Sequence, residues 1–227
     1  MRTCPRSAWA PTGGAERRLS TYSKGTGRTC TGGRILEQVI SVAVAFVAIG
    51  GGSAVCGADQ WLELVPEAVV SVAPVDLINA SLGATTSGWG VTHIDGLVSF
   101  EKPDLVILGF GMNDGAMHRR VPAEDFAANV SRVMEAVRRT NPTAEFVLLM
   151  SMQPNKVWRS LEPMNRYLSA LEKLVGPGVA LADMWSMHGH LLEHKSFWDM
   201  SANALNHPND FLARVYAQIL LAVLGVE

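Results

Sequence analysis

Short apolar runs of strand length alternate with longer amphipathic stretches along this chain, and that alternation narrows its possible folds more than any other feature. A strand buried on both faces reads as a continuous apolar run, whereas a helix lying on a sheet shows apolar residues every three or four positions. Runs of the first kind occupy Val39 to Ile49, Val75 to Ile78, Asp104 to Phe110, Glu145 to Met150 and Val179 to Ala182. Patterns of the second kind cover Trp61 to Val70, Trp89 to Phe100, Ala123 to Arg139, Leu161 to Val175 and Phe211 to Leu224. Pro103, Pro122, Asn141-Pro142 and Gly176-Pro177-Gly178 punctuate these limits. The order predicts an α/β fold, a three-layer αβα sandwich around a five-stranded parallel sheet. Ligands of such sheets bind beyond the carboxyl ends of the strands, so the loops that follow the strands are where chemistry is to be sought.

A chain of 227 residues fits one domain, and 48% hydrophobic against 18% charged residues supplies a core. Residues 1–34 break the pattern. They are rich in Gly, Ser, Thr and Arg, and they read as a disordered leader or a start assigned upstream of the real one. The folded domain is placed at residues 35–227. Seven basic residues against the single Glu16 give the leader an excess of six positive charges, so the chain's net charge of -2 leaves -8 on the domain. An acidic body does not attract phosphate backbones or anionic lipid, so neither a nucleic-acid partner nor a membrane span is expected. A small neutral molecule suits it better. The three cysteines, Cys4, Cys30 and Cys56, lack C-x-x-C spacing, and no zinc or redox role is expected of them. The run Val39 to Ile49 also has the outline of a signal-peptide core, with basic residues before it and small ones up to Ala58. Its β-branched content and the glycines after it favour a strand, and with it a cytoplasmic over a secreted protein.

Four loops carry candidate chemistry. In Ala48 to Gly57 (AIGGGSAVCG) a strand runs into a glycine turn that would present the hydroxyl of Ser53. The lysine of a phosphate loop and the spacing of a dinucleotide fingerprint are both missing, which disfavours phosphate binding. In Ile78 to Trp89 (INASLGATTSGW) a loop of small residues around Gly83 can offer backbone N–H groups to a developing oxyanion. In Gly109 to Gly115 (GFGMNDG) an apolar strand stops at Asn113, whose side-chain N–H is a further oxyanion donor, although Asn-Asp-Gly is also ordinary turn chemistry. In Asn206 to Asp210 (NHPND) His207 stands just ahead of a helix, where a neutral imidazole can take a proton from serine and return it to a leaving alcohol.

Together the four blocks resemble the SGNH hydrolases, the GDSL-type lipases and esterases, named for Ser, Gly, Asn and His in four blocks. The resemblance runs from Val44 to Leu224 and is most specific in Lys102 to Gly115, with His207-Pro208-Asn209-Asp210 and Val215-Tyr216-Ala217 matching the histidine block and its helix. It implies a flavodoxin-like order of the sheet and a carboxylic ester hydrolase. In that hydrolase Ser53 would be the nucleophile, His207 the base, and Gly83 and Asn113 oxyanion donors, with no metal or organic cofactor. Three departures stand out. Gly52 replaces the Asp that usually precedes the serine, a one-residue shift would move the oxyanion amide from Gly83 to Ala84, and Ala204 replaces the Asp usual three residues before the histidine. Asp199, Asp210 or a backbone carbonyl is then left to orient His207. The implied substrate is a small ester with a short acyl group such as acetyl, an acylated sugar among the candidates, with Trp89 placed to stack on a sugar ring. Thioester hydrolysis, acyl transfer, and a non-catalytic domain that binds glycans or acyl chains are the rival readings. His188, His190 and His194 read as polar positions after the fifth strand rather than as metal ligands.

Overall fold

A computed structural model of the chain describes residues 44–50, 75–116, 118–157 and 160–225. Five strands, β1 (Val44–Gly50), β2 (Val75–Asn79), β3 (Leu105–Gly109), β4 (Glu145–Met150) and β5 (Val179–Asp183), form one parallel sheet in the order β2-β1-β3-β4-β5. Each lies within a residue or two of an expected apolar run except at the start of β1, where residues 39–43 lie outside the described ones. Five helices are described: α1 (Ser87–Leu97), α2 (Ala123–Thr140), α3 (Glu162–Glu172), α4 (Met184–Leu191) and α5 (Asp210–Leu224). The leader and the helical pattern at Trp61 to Val70 also fall outside the described residues.

Burial explains the layering. Phe146 to Met150 of β4 are all buried, and since successive side chains point to opposite faces, both faces of the sheet are covered. The helices of the crossovers from β2 to β3, β3 to β4 and β4 to β5, α1, α2 and α3, pack side by side, as right-handed crossovers place them. α5 packs against β5 from the return of the chain. α2 shows why such a segment is helical: Phe126, Val130, Val133, Met134 and Val137 recur on one buried stripe. Each large apolar side chain so buried contributes roughly 1.5–3 kcal/mol. Glu124 and Asp125 in its first turn and Arg138 and Arg139 in its last complement the helix dipole.

Some element limits differ from the sequence expectation for local reasons. α1 begins at Ser87 rather than Trp89, because the Thr86 hydroxyl accepts the Trp89 N–H at 3.4 Å and caps it. After Leu97 a short 3-10 turn, Ser99–Glu101, leads to Lys102, whose φ of 51° stops the helix before Pro103. α3 ends at Glu172, short of the expected Val175. α4 is a short helix that periodicity did not single out, and Asp183 caps it by accepting the Ser186 N–H at 2.9 Å.

Gly90 sets the height of α1 above the sheet. A Cβ there would lie 2.7 Å from Cζ of Phe110, the first residue past β3. Gly90→Ala is therefore expected to lower stability by about 1 kcal/mol in urea unfolding despite the better helix propensity of alanine. An unchanged midpoint would mean that the contact between α1 and Phe110 yields freely.

Candidate active site

The sheet order reverses at β1: the chain steps outward to β2 and then crosses over to β3 on the other side. Loops diverge at such a point and leave a crevice at the carboxyl edge. The register aligns the three exits, since Gly50 at the end of β1 pairs with Gly109 at the end of β3, and Ala48 pairs with Asn79 at the end of β2. The loops bearing Gly83 and Asn113 thus leave the sheet on either side of the exit that leads to Ser53. Ser53 itself, like Gly51 and Gly52, lies outside the described residues.

The loops of Gly83 and Asn113 are tied together by a residue read from the sequence only as part of a turn. Asp114 is fully buried. Its carboxylate accepts the Ser87 N–H at 3.0 and 3.2 Å, the Ser87 hydroxyl, and the Gly111 N–H at 3.2 Å. Ser87 opens α1 just after the Gly83 loop and Gly111 opens the turn of Asn113, so one carboxylate joins the two. A negative charge at a helix N-terminus, surrounded by donors, is favourably placed. Asn129 on α2 adds its side-chain N–H to the Ser87 oxygen at 3.1 Å, and Arg119 donates to the Ala84 carbonyl at 2.8 Å. Gly111 has φ 115°, which a residue with a Cβ adopts only under strain. Asn113, half-buried, sits within this turn between buried Met112 and Asp114. Ala84 also lies in the left-handed region, at φ 63°, a cost of about 1 kcal/mol for alanine.

His207 reaches the same edge from the far end of the chain. Its loop is closed by Asn209, whose N–H donates to the Met200 carbonyl at 3.0 Å and whose Nδ2 donates to the Asp199 carbonyl at 2.8 Å. The Asn209 oxygen then caps α5 by accepting the Leu212 N–H at 3.2 Å. Inside the loop, Oδ1 of Asn203 accepts the N–H groups of Leu205, Asn206 and His207, each at 3.0 Å. The His207 carbonyl accepts the Ala202 N–H at 2.9 Å and the Ser201 hydroxyl at 3.1 Å. The loop rests on the segment after β4, where Asn155 donates its N–H to Leu205 at 2.8 Å and its Nδ2 to Ala204 at 2.9 Å. Partial burial holds the His207 imidazole below its ordinary pKa of 6.5, so the ring is neutral at pH 7 and able to accept a proton.

Other expected participants are placed differently. The Asp199 carboxylate accepts the N–H and hydroxyl of Ser196 at 3.2 and 2.9 Å, closing a capping box in its own turn. Asp210 is exposed in the first turn of α5. One face of Trp89 is covered by His93, with ring centroids 4.4 Å apart and planes at 16°. His190 and His194 are exposed, as polar positions should be, but His188 is entirely buried, a correction to the reading of all three. Its Nδ1 accepts the Gln153 N–H at 3.1 Å, its ring meets Phe197 edge-on, and burial pulls its pKa down to about 4. The sequence reading does not single out Asp114 or Asn155, which stand in ordinary turn and loop segments, Asn113-Asp114-Gly115 and Gln153-Pro154-Asn155.

A model of the GDSL-like lipase/acylhydrolase family matches residues 46–214. An arylesterase of Vibrio mimicus is 30% identical over 80 residues, 35% of this chain, and the match spans 39% of that relative's length. Among solved structures, an alpha/beta hydrolase enzyme from the metagenome of Lake Arreo, Spain, superposes with a TM-score of 0.66 at 21% identity, over 82% of this chain and 97% of that one. An acetylxylan esterase from Geobacillus stearothermophilus gives 0.66 at 16% identity, over 81% and 95%. At these identities the structural likeness is one of fold.

Two outcomes follow from the site's buried groups. Asp114→Asn places an amide N–H₂ where a donor must be accepted, and it is expected to lower stability by about 2 kcal/mol in urea unfolding. A loss under about 0.5 kcal/mol would show that the carboxylate is not what joins the two loops. His188 is neutral in the fold down to about pH 4, whereas the unfolded chain binds that proton near 6.5. Stability is therefore expected to fall as pH drops through that window, and to fall less in His188→Gln, which does not titrate. Equal pH dependence in the two proteins would contradict this.

Proposed function

The chain belongs to the GDSL-like lipase/acylhydrolase family, and we propose that it hydrolyses a carboxylic ester through an acyl-enzyme formed on Ser53, with His207 as the base. The Ser53 hydroxyl adds to the ester carbonyl while the His207 imidazole takes its proton. Backbone N–H groups of Ser53 and Gly83 and the side-chain N–H of Asn113 hold the oxyanion. As the tetrahedral intermediate collapses, the imidazolium gives its proton to the leaving alcohol. Water, deprotonated by His207, then attacks the acyl-enzyme, releasing the carboxylic acid and restoring the serine. Every step uses groups of the protein and water.

The observation that most supports this reading is the alignment of the three strand exits, with Asp114 joining the loops of Gly83 and Asn113 beside the exit that leads to Ser53. The substrate we propose is a short acyl ester, acetyl above all, carried on a sugar. The likeness in fold to an acetylxylan esterase supports that choice.

Hydrolysis of p-nitrophenyl acetate and longer esters, measured beside Ser53→Ala and His207→Ala, tests the mechanism. Both variants are expected to lose at least about 1,000-fold in kcat/KM, with acetate the best acyl group. Equal slow rates in the folded parent and both variants would sink the mechanism and leave the binding-domain reading. Protonation removes the base, so kcat/KM of the parent is expected to fall with decreasing pH about a midpoint below 6.5. A midpoint above 6.5 would contradict a His207 held neutral by burial.

A further inference from the structure

Ala204 stands three residues before His207, and its φ of 61° is disfavoured for alanine. That conformation is held from outside the loop, by the two bonds of Asn155 to the carbonyls of Ala204 and Leu205. Asn155 is itself buried, and its Oδ1 accepts the Val157 N–H at 3.0 Å, which fixes the amide with its N–H₂ toward Ala204. The segment that bears it is anchored in turn. The Met152 N–H donates to the Tyr216 oxygen on α5 at 2.6 Å, and the Gln153 N–H donates to His188 on α4 at 3.1 Å. The Gln153 side chain donates to the Trp185 carbonyl at 3.2 Å. The exit of β4 is thus bound to two helices and, through Asn155 alone among its described side chains, to the histidine loop.

We propose that Asn155 is the positioning residue of His207, holding the histidine loop through its backbone so that the imidazole meets the Ser53 hydroxyl. This inference rests on the Ser53 and His207 reading above. The loop sets where the ring stands: Asn155 fixes Ala204 and Leu205, Asn203 gathers the next N–H groups through His207, and Ser201 and Ala202 hold the His207 carbonyl.

The test compares Asn155→Asp and Asn155→Ala with the parent for kcat and KM on p-nitrophenyl acetate, with Ser53→Ala and His207→Ala as controls. Asn155→Asp keeps the shape of the side chain and the acceptor for the Val157 N–H, and replaces the donor to Ala204 by a carboxylate oxygen that the Ala204 carbonyl repels. Both variants are expected to lose about 100-fold in kcat with KM changed less than about twofold, because the base is displaced while the pocket remains. Should Asn155→Ala fail to fold, Asn155→Asp decides alone. An Asn155→Asp enzyme with the kcat of the parent, or one whose KM rises at constant kcat, would overturn the inference. Active Ser53→Ala or His207→Ala controls would instead overturn the esterase reading beneath it.

Discussion

A carboxylate taken wholly out of water costs several kcal/mol unless donors replace its hydration. Asp114 is in that position, and its donors come from two different loops: the N-terminus of α1, just after Gly83, and Gly111 in the turn of Asn113. Neither loop can move away without leaving a buried charge short of a partner. The spacing of the two proposed oxyanion donors is therefore set by the need to satisfy Asp114. Gly90, pressed against Phe110, fixes the same approach of α1 to β3 by contact rather than by charge.

The histidine side of the site is built on similar lines. Ala84 and Ala204, one beside Gly83 and one ahead of His207, both hold left-handed backbone that alanine disfavours. Each has its carbonyl bound by a side chain from elsewhere in the fold, Arg119 in one case and Asn155 in the other. Strain of about 1 kcal/mol at a residue persists only where the surroundings over-determine it. Two such places on the loops of one edge indicate that the fold gives up a little stability to hold these loops in single conformations.

The strands and most helices were readable in the sequence because their signals are local: a continuous apolar run marks a doubly covered strand, and a repeat of three or four marks a helix. α4 was not, since its eight residues are too few to show a period and it buries His188 beside Met184 and Trp185. The sequence proposes Gly83, Asn113 and His207 as candidates because each follows a strand or precedes a helix in a recognisable block. It does not propose Asp114 and Asn155, because their roles exist only across the chain. Asp114 binds Ser87 at a separation of 27 residues, and Asn155 binds Ala204 at 49. Nothing near either residue in sequence distinguishes it from ordinary turn or loop chemistry.

The central claim is that Ser53 is a nucleophile activated by His207. Reaction of the folded protein with a fluorophosphonate, followed by mass mapping of the labelled peptides, tests it most directly, since such probes phosphonylate an activated serine. The account predicts a single label on Ser53 and a labelling rate that collapses in His207→Ala. A label on a different serine, no label at all, or a rate indifferent to His207 would contradict it.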